Sequence, residues 1–305
     1  MGGVAFVFSG QGAQYPGMGK SLYEHAKGAK TLFNRLEKIR PGTLQQCFSG
    51  SEETLRDTRN TQPCVFALSM AAAAALTERE IIPDALAGFS LGEMGALTFG
   101  GAFSLEEGFS LVIQRAKAMG EAANLSPSSM AAVMKLSAKQ VETLAADFPG
   151  IYPVNYNGPG QTVVAGDWNS LESFQKTVKA AGGRAIPLKV SGGFHSPYME
   201  KAGLAFGEIL NRCNPKPLNY PVYANLTARP YGGNLVETLI PQMTSPVRWQ
   251  ETVENMAADG ITTFIEVGPG KILKGLIETC TPQVSAFHVE NLESLEETLA
   301  QLRAG

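Results

Sequence analysis

The chain has little from which to build a metal site or a disulfide framework. Its 305 residues hold four cysteines, Cys47, Cys64, Cys213 and Cys280, and no C-x-x-C pair occurs among them. That scatter suggests neither zinc ligation nor a stapled scaffold, and it fits a reduced, cytoplasmic setting. Histidine is scarcer still, with only His25, His195 and His288, so a catalytic base of that type has few places to be. Neither sign of charge dominates. The 25 Lys and Arg against 28 Asp and Glu leave a net charge of -3, which argues against a nucleic-acid partner. Long apolar runs are missing too: Val65 to Leu76 is too short to span a bilayer and reads as a buried helix. The opening MGGVAFVFSG lacks the basic region of a secretory signal, and no internal repeat or low-complexity tract appears. Neither membrane nor metal is expected.

What is present is an ordinary globular composition, 44% hydrophobic and 17% charged, with enough length for about two domains. Short apolar strands run repeatedly into glycine-rich loops. Val4–Phe8 enters Ser9-Gly10-Gln11-Gly12, Ala85–Ala87 enters the Ser90 loop, and Thr263–Val267 enters Gly268-Pro269-Gly270. Each loop precedes a helix start, the signature of a parallel α/β sheet, whose sites form at the carboxyl ends of strands. The middle of the chain has another rhythm. Strand Met130–Leu136, helix Ser137–Asp147, strands Tyr152–Tyr156 and Gln161–Ala165, a helix over 171–181 and strand Arg184–Val190 give the order βαββαβ of a ferredoxin-like unit. The expected fold is therefore α/β. A large α/β-hydrolase-like domain, residues 1–126 and 192–305, carries an inserted small subdomain, residues 127–191.

Two phosphate-binding patterns fail on inspection. Gly17-Met18-Gly19-Lys20-Ser21 ends like a Walker A loop, but Gln14 stands where its first glycine is required. Gly10-Gln11-Gly12 would need a third small residue where Tyr15 sits to bind a dinucleotide. Gly88-Phe89-Ser90-Leu91-Gly92 fits the nucleophile elbow, a sharp strand-to-helix turn that exposes a serine hydroxyl. Ser90 with Glu93 also fits a capping box, so nucleophile and helix cap are both open roles, and they are compatible. A serine nucleophile needs a base. His25 lies among charged residues and His288 in an alternating, structural pattern. His195, after a Gly-Gly pair in VSGGFHSPYM, is the favoured candidate. Arg115 follows a helix start at Ser104 with its capping partner Glu107, and it shares a face with Leu111, Val112 and Met119. An arginine there either snorkels to the surface or is buried with an anionic partner, for which its fork suits a carboxylate.

Together these stretches resemble one family, the malonyl-CoA:acyl-carrier-protein transacylases and polyketide-synthase acyltransferase domains. Seven segments carry the likeness in order: FVFSGQGAQYPGMG, GFSLGE, QRAKAM, VNYNGPGQTVVAG, GGFHSPYM, SPVRW and FIEVGPGKIL. The resemblance implies transfer of a malonyl group from malonyl-CoA to the phosphopantetheine thiol of acyl carrier protein, in fatty-acid or polyketide synthesis. Ser90 would be acylated and His195 would act as general acid and base. The backbone N–H groups of Gln11 and Leu91 would form the oxyanion hole, and the Gln242 carbonyl would orient the histidine. Arg115 would pair with the malonyl carboxylate, Phe194 would crowd branched acyl chains, and Asn155 and Asn157 would line the entrance. No metal or bound cofactor is implied, and a monomer is expected. Lys189 or Lys271 would help dock the acidic carrier. The sequence departs from the family pattern at Phe89, where histidine is usual, which alters the polarity and shape of the acyl pocket. Rival readings are a thioesterase-type hydrolase, a discrete polyketide acyltransferase with another extender unit, and a non-catalytic carrier-binding scaffold.

Overall fold

A computed structural model describes residues 2–304. Two sheets organise it. The first contains β1 (Gly3–Phe8), β2 (Ala85–Gly88), β7 (Val222–Tyr223), β8 (Ile261–Val267) and β9 (Ser285–Val289) in the order β7-β2-β1-β8-β9, and every neighbouring pair is parallel. The second contains β3 (Ser129–Met134), β4 (Tyr152–Gly158), β5 (Gln161–Gly166) and β6 (Arg184–Pro187), antiparallel in the order β4-β5-β3-β6. With helices Ala138–Ala146 and Trp168–Ala180 between the strands, this is the ferredoxin-like arrangement expected from the sequence.

The central strands are buried on both faces, which is why β1 and β2 read as unbroken apolar runs rather than alternating ones. Helix Thr58–Thr77 contains the Val65–Leu76 run and is buried along nearly its whole length, with Pro63 inside it. Among the described residues no helix is long and apolar enough to cross a membrane. One expectation needs correcting: β6 stops at Pro187 rather than Val190; Pro187 cannot donate to the ladder, and after a last bond from Leu188 N to Met130 O of β3 the chain runs on toward the His195 loop. The small sheet is pinned to the rest of the molecule where Tyr156 N donates to Val247 O and Val247 N donates to Val154 O.

Candidate active site

Because the five strands of the first sheet run in parallel, the loops after them open at one edge. Gln11 follows β1, Ser90 follows β2, Asn225 follows β7 and Gly268-Pro269-Gly270 follows β8. The turn at Ser90 depends on its glycines. A Cβ at Gly88 would lie 2.0 Å from the backbone of Gly92, and one at Gly92 would lie 2.0 Å from Phe8 O. No side chain fits either space, so the helix Leu91–Phe99 starts directly against the strand it leaves. Ser90 itself has φ 53°, a conformation that L residues rarely adopt. His195 shares this property, with φ 61°.

That geometry corrects the capping-box reading. Ser90 sits at the N-cap position, but its side chain makes no cap hydrogen bond. The hydroxyl points instead at His195, with Oγ and Nε2 2.6 Å apart. Nδ1 of the same ring lies 2.9 Å from the Gln242 carbonyl oxygen. A carbonyl only accepts, so Nδ1 carries the hydrogen and Nε2 is left to accept the Ser90 proton. Burial, with the Arg115 charge beside it, lowers the His195 pKa to about 4, and the ring is therefore neutral at physiological pH. Nucleophile, base and orienting group are thus in line without a triad carboxylate.

Arg115 reaches this centre from helix Leu105–Leu125, whose capping box at Ser104 and Glu107 forms as expected. It is 1% exposed, so it does not snorkel. Its Nη2 donates to Ser90 Oγ at 3.2 Å and to Gln242 Oε1 at 3.1 Å, and its Nη1 donates to Gln62 Oε1 at 2.9 Å. The anionic partner anticipated for a buried arginine is not in contact, because all three acceptors are neutral. Burial lowers its pKa to about 10, with the charge of Glu93 acting the other way, so it remains a cation at neutral pH. Glu93 departs from expectation too. It does not hold a helix start but lies fully buried, accepting from Asn225 N, Tyr231 OH and Gln242 Nε2.

The other candidates fall into two groups. The Leu91 N–H belongs to the first helical turn and has no intrahelical acceptor. The Gln11 loop lies against the elbow, where a Cβ on Gly10 would come within 2.7 Å of Phe89 O, and the Gln11 amide is tied back to Thr58 at 3.1 Å. Neither backbone N–H, of Gln11 or Leu91, donates to an acceptor among the described residues. A cleft of about 560 Å³ joins the two sheets, lined by Gln11, Phe89, Asn155, Asn157 and Lys189 among others. Asn155 and Asn157 are buried, and the Oδ1 atom of each has no hydrogen-bond partner among the described residues. Phe89 packs edge-on against Trp249, with ring centroids 5.6 Å apart. Phe194 is buried in the main apolar core and is not a wall of the cleft. Lys189 and Lys271 are exposed, whereas His25 sits on the surface and bonds its own helix at Ser21 O.

Sequence reasoning missed Gln62, Asn225, Tyr231 and the side chain of Gln242. Asn225 accepts from Ser90 N at 2.7 Å and donates to Gly88 O at 2.6 Å, so it clamps both sides of the elbow. Its only signal is a polar residue directly behind a short apolar strand.

The chain belongs to the acyl transferase domain family, whose model matches residues 5–295. It is 37% identical to a malonyl CoA-acyl carrier protein transacylase of Bacillus subtilis, over 99% of this chain and 98% of the relative. A transacylase of that name from Clostridium perfringens superposes with a TM-score of 0.95 at 36% identity, covering 99% of this chain and 98% of the other. A malonyl-transacylase solved in complex with its type II polyketide acyl-carrier protein superposes with a TM-score of 0.94 at 31% identity, covering 98% and 99%.

Proposed function

We propose that the protein transfers a malonyl group from malonyl-CoA to the phosphopantetheine thiol of an acyl carrier protein, through a malonyl ester on Ser90. The observation that carries this reading is one oxygen atom with two partners. Ser90 Oγ lies 2.6 Å from a neutral imidazole nitrogen and 3.2 Å from a buried guanidinium. The first partner makes the hydroxyl a nucleophile. The second gives the acyl group's free carboxylate a cation to meet, without which burying that carboxylate would leave an unpaired charge.

In the first half-reaction Ser90 Oγ attacks the thioester carbonyl carbon while its proton passes to His195 Nε2. The developing oxyanion is held by the Gln11 and Leu91 N–H groups, each worth about 3 kcal/mol in comparable sites. The C–S bond then breaks, and the departing thiolate takes the proton from His195. In the second half-reaction the carrier's thiol gives its proton to His195 and attacks the acyl-serine, and Ser90 leaves with that proton. No metal or cofactor enters either step, and ping-pong kinetics follow. The Gln242 carbonyl replaces a triad carboxylate as the group that fixes the imidazole tautomer. Phe89 makes its end of the acyl pocket apolar, and Lys189 with Lys271 offers positive charge to an acidic carrier. A cytoplasmic monomer suits this role. Transfer and hydrolysis are separated by mixing enzyme, malonyl-CoA and a carrier whose phosphopantetheine thiol is free, and comparing malonyl-carrier formed with free malonate released. Transferase activity gives mainly malonyl-carrier; malonate in excess, whatever the carrier concentration, assigns the site to a hydrolase instead.

A further inference from the structure

The buried carboxylate of Glu93 takes no part in the two half-reactions, yet it contacts the residue that both halves of the centre share. Gln242 touches four groups. Its main-chain carbonyl holds His195 Nδ1, its Oε1 accepts from Arg115, and its Nε2 donates to Ser90 O and to Glu93 Oε2, both at 2.8 Å. A primary amide has two faces of opposite polarity, and turned over it would present N–H to the guanidinium. Glu93 adds the one anionic contact to those of Ser90 O and Arg115 that set which way it sits. All three contacts of the carboxylate come from donors: Gln242 Nε2 to Oε2, and Asn225 N and Tyr231 OH to Oε1 at 3.0 and 2.6 Å. Among the described residues no acceptor bonds to it, and these three donors favour the anion against the burial that raises its pKa to about 7.

We infer that Glu93 is a positioning residue for acyl selectivity, locking the Gln242 amide so that a neutral oxygen, rather than a carboxylate, faces Arg115. This rests on the malonyl-transfer reading above. Placing the anion one side chain away has a consequence for function. A carboxylate in direct contact with Arg115 would occupy the guanidinium fork and satisfy its charge, leaving little for the substrate. With Gln242 between them, Glu93 offsets the cost of a buried cation at longer range while the fork is held only by neutral acceptors, which a malonyl carboxylate outcompetes.

The test compares rates of Ser90 loading from malonyl-CoA and from acetyl-CoA, read by intact mass, in the full-length protein. Glu93→Gln puts a donor opposite Gln242 Nε2 and should turn that amide over. The malonyl-to-acetyl ratio should then fall about tenfold or more, the scale of one charge-assisted hydrogen bond. Tyr231→Phe removes a hydrogen bond from the same carboxylate without touching Gln242, and its ratio should stay within about twofold of the parent. A merely structural role for Glu93 would lower both loading rates together in both variants. Gln242→Glu places a carboxylate directly on Arg115 and should collapse the ratio similarly, so it carries the test if Glu93→Gln does not fold. An unchanged ratio in either folded protein overturns the inference. Failure of the parent to load malonyl at Ser90 overturns the functional reading itself, which keeps the two failures apart.

Discussion

The two sheets border one cleft beside the reactive centre, and they contribute different things to the site. Every group with reactive geometry comes from the body built on the parallel sheet: Ser90 after β2, the Gln11 loop after β1, and His195, Arg115 and Gln242 from segments packed around them. There the nucleophile and the base both sit at positive φ, and the side chains of Asn225, Arg115 and Gln242 around them are satisfied by hydrogen bonds. The antiparallel sheet contributes Asn155 and Asn157, whose buried oxygens have no partner among the described residues. Satisfied groups are preorganised for chemistry, whereas unsatisfied ones await a ligand's donors. The comparison teaches that rate should belong to one sheet and grip to the other.

The largest break in that division comes from removing the base. His195→Ala should slow Ser90 acylation on the order of 10⁴-fold, with substrate affinity nearly unchanged, as rapid-quench kinetics would show. Next is Arg115→Ala, expected to reduce malonyl loading about 100-fold while acetyl loading is kept or gained; parallel losses on both substrates would remove Arg115 from acyl recognition.

The pH profile sharpens the same half. Since His195 is lowered to about 4, the acid limb of kcat/KM should lie near that value and not near the ordinary 6.5, because the base stays neutral until the pH falls that far. Arg115 is the second cause of the lowering, so Arg115→Ala assayed with acetyl-CoA should move the limb upward. A limb fixed near 6.5 in both proteins would mean the ring is far better solvated than this burial allows. The smallest effects belong to the other sheet. Asn155→Ala or Asn157→Ala should raise KM for malonyl-CoA about three- to tenfold, one hydrogen bond each, and leave the acylation rate almost intact. A kcat loss without a KM change would erase the division of labour.

The same contrast explains what could be read in the sequence. The strands β1, β2 and β8 were legible because each buried apolar run ends in glycines that the turn geometrically requires, as the contacts at Gly88 and Gly92 demonstrate. His195 was reachable by elimination, since the chain offers only three histidines. Asn225, Tyr231 and the Gln242 side chain left no such trace. They arrive from loops more than 130 residues beyond Ser90, and polar residues in irregular segments have no period to betray them. The Ser90 and Glu93 pair misled for a related reason. Its spacing satisfies a capping box, but the positive φ at Ser90 turns the hydroxyl away from the helix and toward a histidine 105 residues distant.

One measurement bears most directly on the role of Ser90. The protein is incubated briefly with malonyl-CoA, its intact mass is recorded before and after addition of carrier protein bearing a free phosphopantetheine thiol, and the modified peptide is mapped. The expected result is a single malonyl adduct on Ser90 that the carrier discharges and that His195→Ala does not form on the same timescale. An adduct on another residue, or none on a folded protein with intact substrate, would contradict it.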